Sequence, residues 1–200
     1  KAYFDKIPNW LEKFNAKNRI QPNDKFMWKT RYNRKSSAYD FPEIDNYDFS
    51  ALDYSLINRP IVINPADKNP YEIFLKTPMA QQKLFDLAKA CLDANFSKGG
   101  KDRLVLWISL SSLDLVGHMY GPDSRECIDM IYHLDTQLSD FMRYVRKFAP
   151  QEKTLFVLTG DHGIMPLPEI VHKQGLTSAR RIMSKDIVKE MNAALKTHVA

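Results

Sequence analysis

LVLWISL, residues 104–110, is a continuous apolar run of the kind expected for a strand buried on both faces. A second apolar run, LFVLT at residues 155–159, has the same character. Between them, apolar residues recur at helical spacing until Pro150 closes the pattern. A strand, a crossover helix and a second strand predict parallel neighbours with a right-handed connection. The predicted fold class is therefore α/β, as part of a mostly parallel sheet flanked by helices.

Capping residues mark three helices around these runs. Thr77, which a proline follows, predicts the start of a helix that ends at the glycine pair 99–100. The crossover helix is predicted to begin near Asp123, with Glu126 three residues later as in a capping box. Ser184 is the predicted cap of the last helix. The resulting order of helix, strand, helix and strand favours the α/β class.

Composition divides the chain into three sections. Residues 1–20 predict a helical lead-in, with a short helix over 3–16. Residues 21–76 are rich in Pro, Asn, Asp and Tyr, which predicts a loop-rich insertion holding a few short strands. Residues 77–200 carry the α/β core. We expect 1–200 to form a single incomplete catalytic domain.

The overall charge does not indicate a nucleic-acid partner. The chain has 200 residues, of which 44% are hydrophobic, so it can build a real core. Its net charge of +5 comes from 29 Lys plus Arg against 24 Asp plus Glu, which is a mixed surface and not a polycation. The most basic strip, Lys25–Lys35, interleaves aromatics with cations, but this pattern favours a solvated loop or hairpin over a binding strip.

Neither a membrane span nor a disulfide framework is predicted. No apolar run reaches the roughly 20 residues that a membrane-spanning helix needs, and no signal peptide is visible. Two cysteines are too few for a disulfide scaffold or a zinc knuckle. Cys91 and Cys127 both lie in helical patterns, which predicts small core side chains.

Polar residues of one chemical type follow both apolar runs. Asp114 and His118 come after the first run, and Asp161 and His162 come directly after the second. Because reactive groups collect beyond the carboxyl ends of parallel strands, we expect all four side chains to meet in loops at one edge of the sheet. Carboxylates and imidazoles together suit a borderline cation such as zinc. A lone Asp or a lone DHG is an ordinary turn former, whereas the joint occurrence predicts a metal site.

Two glycines and three further histidines also bear on the predicted metal site. Gly117 and Gly163 are predicted to supply the backbone freedom that turns the neighbouring ligands toward one point. His133 lies in the crossover helix and is predicted to be a surface residue. His172 and His198 are not assigned to the metal, and a surface role is favoured for His198 because it falls inside a predicted helix.

Two segments carry a resemblance to a known family. They are ISLSSLDLVGHMYGPDSRECIDMIYHLDTQLSDF at 108–141 and LFVLTGDHG at 155–163. They resemble the alkaline phosphatase superfamily, in the type I phosphodiesterase/nucleotide pyrophosphatase branch that includes the periplasmic single-chain alkaline phosphatases. The similarity is strongest over 77–162 and extends more weakly to IPNWLEKFNAKN at 7–18. The pairing of D-x-x-x-H with a later D-H-G is specific for the superfamily, though not for one substrate.

The resemblance implies an alkaline-phosphatase-like fold and a centre of two zinc ions. On that basis Asp114 and His118 would bind the first ion, and Asp161 and His162 the second. The family completes these sites with a C-terminal histidine and with an N-terminal aspartate and a Thr or Ser nucleophile. None of these maps onto the chain, so the nucleophile is predicted to lie outside it.

The hydroxyl groups near the predicted ligands do not match the family's nucleophile. Ser111, Ser112 and Thr159 are close in sequence to the ligands but occupy other positions. The resemblance therefore implies the central section of a longer enzyme, which would be inactive by itself and would hold zinc loosely.

The function that the resemblance implies is zinc-dependent hydrolysis of phosphate monoesters through a covalent phospho-enzyme. The substrate would be a small phosphate ester, and the location periplasmic or secreted. A phosphodiesterase or nucleotide pyrophosphatase on the same metals is the first alternative. An inactive structural fragment is the second, and sulfatases and cofactor-independent phosphoglycerate mutases, which share the wider fold, rank third.

Overall fold

Helices make up most of the regular structure in the computed structural model, which describes residues 6–33, 35–40, 55–96 and 103–198. The elements are α1 (Asn9–Asn18), β1 (Lys25–Met27), β2 (Pro60–Val62), α2 (Glu72–Leu75), α3 (Pro78–Asn95), α4 (Ser111–Tyr120), α5 (Arg125–Val145), α6 (Pro168–Lys173) and α7 (Ser184–His198). Short 3₁₀ turns cover Ser37–Tyr39 and Gln151–Lys153.

The chain divides into two compact units, Lys1–Ile164 and Met165–Ala200. The first unit holds both strands and helices α1 to α5. The second holds α6 and α7, of which the sequence predicted only α7. No helix in the described ranges is both long enough and apolar enough to cross a membrane.

Helices α3 and α5 pack through one apolar cluster. Phe85 and Leu92 of α3 are buried against Phe141 of α5, and the Phe85 and Phe141 rings lie 5.4 Å apart. Burial of each such side chain stabilises the fold by about 1.5–3 kcal/mol. A buried hydrogen bond of 2.9 Å from Gln81 to Gln137 fixes the register between the same two helices.

The predicted start of α3 is confirmed. The Thr77 hydroxyl accepts a hydrogen bond from the backbone N–H of Ala80 and donates one to the Phe74 carbonyl, and Pro78 follows as the first helical residue. Thr77 therefore satisfies one of the free donors at the helix start and joins α3 to α2. The predicted glycine pair at the other end lies outside the described residues.

The start of α5 differs from the prediction. Its N-cap is Ser124, whose hydroxyl accepts from the Cys127 N–H at 3.1 Å, and not Asp123. Glu126 does not close a capping box. It is buried and accepts a 2.5 Å hydrogen bond from the Ser55 hydroxyl, so it ties α5 to the insertion. A long-range partner for the glutamate replaced the local one that the spacing predicted.

The two apolar runs are not paired strands. In 104–110 the odd positions are open, with Val105 90% and Trp107 84% exposed, whereas the even positions Leu106, Ile108 and Leu110 pack against the α3–α5 cluster. All five residues of the second run, 155–159, are exposed as well.

The prediction of a strand buried on both faces is therefore wrong for 104–110, which buries one face only. The predicted parallel ladder between 104–110 and 155–159 is absent from the described residues, where the sheet is the antiparallel pair β1–β2. The physical reason is that an apolar run predicts burial of a segment but contains no information about which segment will form hydrogen bonds with it. Within the described part of the chain, neither run serves as the other's neighbour.

The loop-rich insertion supplies a large part of the core. Its predicted short strands are confirmed, because β1 and β2 pair with Phe26 opposite Ile61. Trp28, directly after β1, is fully buried and packs in one cluster with Val116 of α4 and Met130 of α5. The described cationic side chains of the basic strip are thus exposed to solvent, while the Trp28 indole belongs to the core.

A buried carboxylate fastens this strip to α5. Asp129 is 0% exposed and accepts hydrogen bonds from the Trp28 indole N–H at 2.6 Å, the Arg31 backbone N–H at 2.7 Å and the Tyr39 hydroxyl at 2.5 Å. Burial of a charge is tolerated when hydrogen bonds surround it in this way. Burial by itself would raise the pKa of Asp129, but the hydrogen bonds from His133, Tyr39, Arg31 and Trp28 lower it.

His133 belongs to the same network, so its prediction as a surface residue is wrong. Its ring is half-buried, its Nε2 donates to the Lys29 carbonyl at 3.0 Å, and the same nitrogen lies 3.3 Å from the Asp129 carboxylate. A carbonyl oxygen can only accept, which fixes the proton on Nε2. The sequence signal for this role is the i,i+4 spacing from Asp129.

The two cysteines, both predicted to be core side chains, are free thiols. Cys127 is buried in the cluster around Trp28, which confirms a core role, whereas Cys91 is half-buried on α3. Burial, with a smaller contribution from the nearby carboxylates, raises the pKa of the Cys127 thiol to about 11.

Candidate metal centre

Helix α4 carries the first two predicted ligands. Asp114 and His118 are four residues apart, so one helical turn places them on the same face, with His118 Nε2 3.2 Å from Asp114 Oδ1. The sequence predicted them in a loop, and the structure corrects this to a helix. The helix is capped at its C-terminal end by Gly121, whose φ of 88° is a conformation that glycine adopts readily. The Gly121 N–H donates a hydrogen bond to the Gly117 carbonyl.

The turn after the second apolar run brings a third ligand to this face. His162 Nε2 lies 3.5 Å from Asp114 Oδ1, and the rings of His118 and His162 are 6.1 Å apart. One donor atom from each of Asp114, His118 and His162 lies within 4.8 Å of the other two. Residues from two distant parts of the chain therefore meet, and their spacing suits a shared cation.

An unsatisfied oxygen lies at the middle of this group. Asp114 Oδ1 is inaccessible to water and accepts no hydrogen bond from the described residues, although two imidazole nitrogens are 3.2 and 3.5 Å away. Buried polar atoms are nearly always hydrogen-bonded, and an exception requires an explanation. A cation bound between the carboxylate and the imidazoles would satisfy the oxygen, so the donor set fits a zinc ion.

The tautomer of His162 leaves the correct nitrogen free. Its Nδ1 lies 3.0 Å from the Gly163 carbonyl, which can only accept, so Nδ1 carries the proton. Nε2, which faces Asp114, then has a free lone pair, as in metal-binding histidines whose other nitrogen is held by a carbonyl. The Gly163 carbonyl and the charges of Asp161 and Asp114 raise the pKa of His162.

Asp161 is not part of the three-residue group. Its side chain is 92% exposed, its Oδ2 lies 3.8 Å from His162 Nε2, and its Oδ1 accepts from the His162 backbone N–H at 3.1 Å. The carboxylate is thus adjacent to the group but exposed. The assignment of Asp114 with His118 to one ion and of Asp161 with His162 to another stays a prediction.

The expected role of the two glycines is wrong. Gly117 lies inside α4, and neither Gly117 nor Gly163 is among the residues with positive φ, which in the described chain include Gly121 and Gly175. Their freedom to adopt left-handed backbone is therefore not used. Gly117 instead lies in close contact with Ile164, a residue that the sequence analysis did not single out.

The other hydroxyl residues and histidines that the sequence analysis considered are not assigned a role. Ser112 is buried and Ser111 is exposed, while the Thr159 hydroxyl donates to the Gly160 carbonyl. His172 is exposed on α6. The side chain of His198 lies outside the described residues.

Residues 8–195 match the family model described as type I phosphodiesterase / nucleotide pyrophosphatase. The chain belongs to this family. The resemblance predicted from the sequence is confirmed, and with it the α/β fold class, although the predicted parallel pairing is absent from the described residues.

Alkaline phosphatases are among the relatives of this family member. Alkaline phosphatase PhoV of Synechococcus elongatus is 29% identical over 168 residues, which cover 83% of this chain and 30% of PhoV. Alkaline phosphatase PafA of Elizabethkingia meningoseptica is 29% identical over 204 residues, which cover 97% of this chain and 35% of PafA. A crystal structure of wild type alkaline phosphatase PafA matches 72% of this chain and 28% of its own, with a TM-score of 0.49 and 26% identity. The chain thus spans about a third of the length of these curated relatives.

Proposed function

We propose that the protein hydrolyses phosphate monoesters with zinc and that Asp114, His118, Asp161 and His162 are metal ligands. The observation that carries this proposal is the buried Asp114 oxygen, which in the described part of the chain accepts no hydrogen bond and has two imidazole nitrogens within 3.5 Å. Membership of a phosphodiesterase family and similarity to two alkaline phosphatases support the reaction class.

Each ligand has a distinct task in this proposal. Asp114 supplies negative charge, which offsets the positive charge of a divalent cation, and His118 joins it from the next helical turn. His162 presents Nε2 because the Gly163 carbonyl holds the proton on Nδ1. Bound zinc would stabilise charge on the phosphoryl oxygens and lower the pKa of a coordinated nucleophile. Imidazole must be neutral to bind zinc, so acidic pH is expected to weaken binding.

The nucleophile is proposed to lie outside this chain, as the resemblance implies. Two of the described hydroxyls near the ligands are otherwise engaged, since the Thr159 hydroxyl donates to a carbonyl and Ser112 is buried, and the exposed Ser111 does not match the family's nucleophile position. A periplasmic or secreted location and a small phosphate ester as substrate also belong to the proposal, and both derive from the resemblance.

The experiment compares zinc content and substrate preference in the protein at its full natural length. We expect purified protein to contain zinc by elemental analysis and to cleave p-nitrophenyl phosphate faster than bis-p-nitrophenyl phosphate. Asp114→Asn is expected to lower zinc content by about one ion per molecule and to lower turnover by about 10²-fold, because a ligand is lost. His172→Gln, a change at an exposed histidine outside the group, is the matched control and is expected to alter neither.

Two outcomes would select the alternatives. Faster cleavage of the diester would favour a phosphodiesterase or nucleotide pyrophosphatase on the same metals, a reading that the description of the matching family also favours. Protein without zinc, together with unchanged turnover in Asp114→Asn, would contradict the catalytic proposal and favour a structural module.

A further inference from the structure

The helix that carries two of the proposed ligands contains a glycine. Gly117 is buried in α4, between Asp114 and His118, where glycine weakens a helix relative to alanine. Its backbone is not in the left-handed region that would require glycine. Backbone conformation therefore does not explain why this residue is a glycine. The explanation lies in the space around it.

Space explains the glycine. A Cβ added at Gly117 would overlap the Cδ1 atom of Ile164 and lie 3.3 Å from its Cγ1. The half-buried Ile164 side chain thus rests directly on the bare backbone of α4, in a notch that a methyl group would fill. Interiors are packed closely enough that one added methyl forces a neighbour to move.

This contact lies next to the metal ligands on both sides. Ile164 follows His162 by two residues, and Gly117 directly precedes His118. The hydrogen bonds of His162 go to its own neighbours, Asp161 and Gly163, so they shape the turn without joining it to α4. The contact between Ile164 and Gly117 does join the two elements.

We infer that Gly117 is a positioning residue for the metal centre. The absence of a side chain lets Ile164 dock on α4, and this docking holds His162 Nε2 within 3.5 Å of Asp114 Oδ1. The inference rests on the proposed metal-binding function, which it deepens by assigning the spacing of the ligands to one apolar contact.

The test measures zinc affinity in the protein at its full natural length, by equilibrium competition with a chelating dye. Gly117→Ala is expected to weaken zinc binding by about tenfold, as changes that misorient a ligand do. The clashing atom is a terminal methyl, so Gly117→Ala combined with Ile164→Val, which removes that methyl, is expected to recover affinity to within about threefold. Gly160→Ala is the matched control on the same turn, because its added Cβ would make an ordinary 3.6 Å contact, and it is expected to bind zinc normally.

A metal-free readout separates this inference from the proposed function. In a crystal structure of metal-free Gly117→Ala, we expect the separation of His162 Nε2 from Asp114 Oδ1 to exceed 3.5 Å. An unchanged separation, wild-type zinc affinity in Gly117→Ala, or no recovery with Ile164→Val would each overturn the inference. If the wild type binds no zinc, the proposed function fails, and the metal-free separation alone decides whether Gly117 positions the turn.

Discussion

Replacement of Asp129 by asparagine should release the basic strip from α5. In the native network Asp129 Oδ2 accepts from the Trp28 indole at 2.6 Å, while Oδ1 accepts from the Arg31 N–H and the Tyr39 hydroxyl. Asparagine has one acceptor oxygen and an NH₂ group that only donates. On one side of the network, the NH₂ group would therefore lie opposite another hydrogen-bond donor. If the oxygen remains on the side of two donors, the indole of Trp28 loses its partner.

The magnitude follows from the burial of the network. Loss of a hydrogen bond to a charged group costs about 1.5–3 kcal/mol, and a buried N–H left without a partner costs about 1–3 kcal/mol. We therefore expect Asp129→Asn to lower the free energy of local opening around β1 by about 3 kcal/mol, within the range for breaking a buried charged network. At about 1.4 kcal/mol per factor of ten, hydrogen exchange there should accelerate by about 10²-fold.

Hydrogen exchange with mass spectrometry checks this expectation, read on peptides that cover β1 and the 3₁₀ turn Ser37–Tyr39. Asp140→Asn is the matched control, because Asp140 lies on the same helix but is exposed and forms an ion pair with the exposed Arg143. Its loss should cost under about 1 kcal/mol. Unchanged exchange in the Asp129 variant, or equal acceleration in both variants, would refute the reasoning.

Three further predictions concern acid, thiols and metal content. Because the folded pKa of Asp129 lies below its ordinary value of 3.8, its stabilisation is full above that value and is lost as pH falls through the lower folded pKa; denaturant unfolding should show the wild type converging with Asp129→Asn in strong acid. Iodoacetamide at mildly alkaline pH should label the half-buried Cys91 and spare Cys127, whose pKa is raised to about 11, and peptide mapping that finds Cys127 labelled in folded protein would contradict its burial. Asp161→Asn should lower zinc content by about one ion per molecule if it binds a second ion, and unchanged content by elemental analysis would remove it from the ligands.

Local signals in the sequence were sufficient for some elements. Thr77 and the proline after it predicted the start of α3, because a cap depends on the side chain and on backbone donors only a few residues away. The same reasoning failed at Glu126, whose hydrogen-bonding partner, Ser55, is far away in the chain. It also failed for His133, because the spacing on a helix does not reveal which segment covers a given face.

The apolar runs show the same limit on a larger scale. The pattern of 104–110 correctly indicated a segment with a buried face, since Leu106 and Ile108 pack on the α3–α5 cluster. It could not indicate that Val105 and Trp107 would face outward, because burial of the second face requires a neighbour whose identity no local pattern contains.

Residue types and their order alone determined the family and named the four candidate ligands, because donor chemistry is a property of the side chains themselves. Only the tertiary structure decided that His162 joins Asp114 and His118 while Asp161 remains exposed. We assign the position of His162 to the packing of Ile164 against α4, a contact between segments far apart in the chain. Long-range packing sets distances between ligands, and short-range patterns do not encode it.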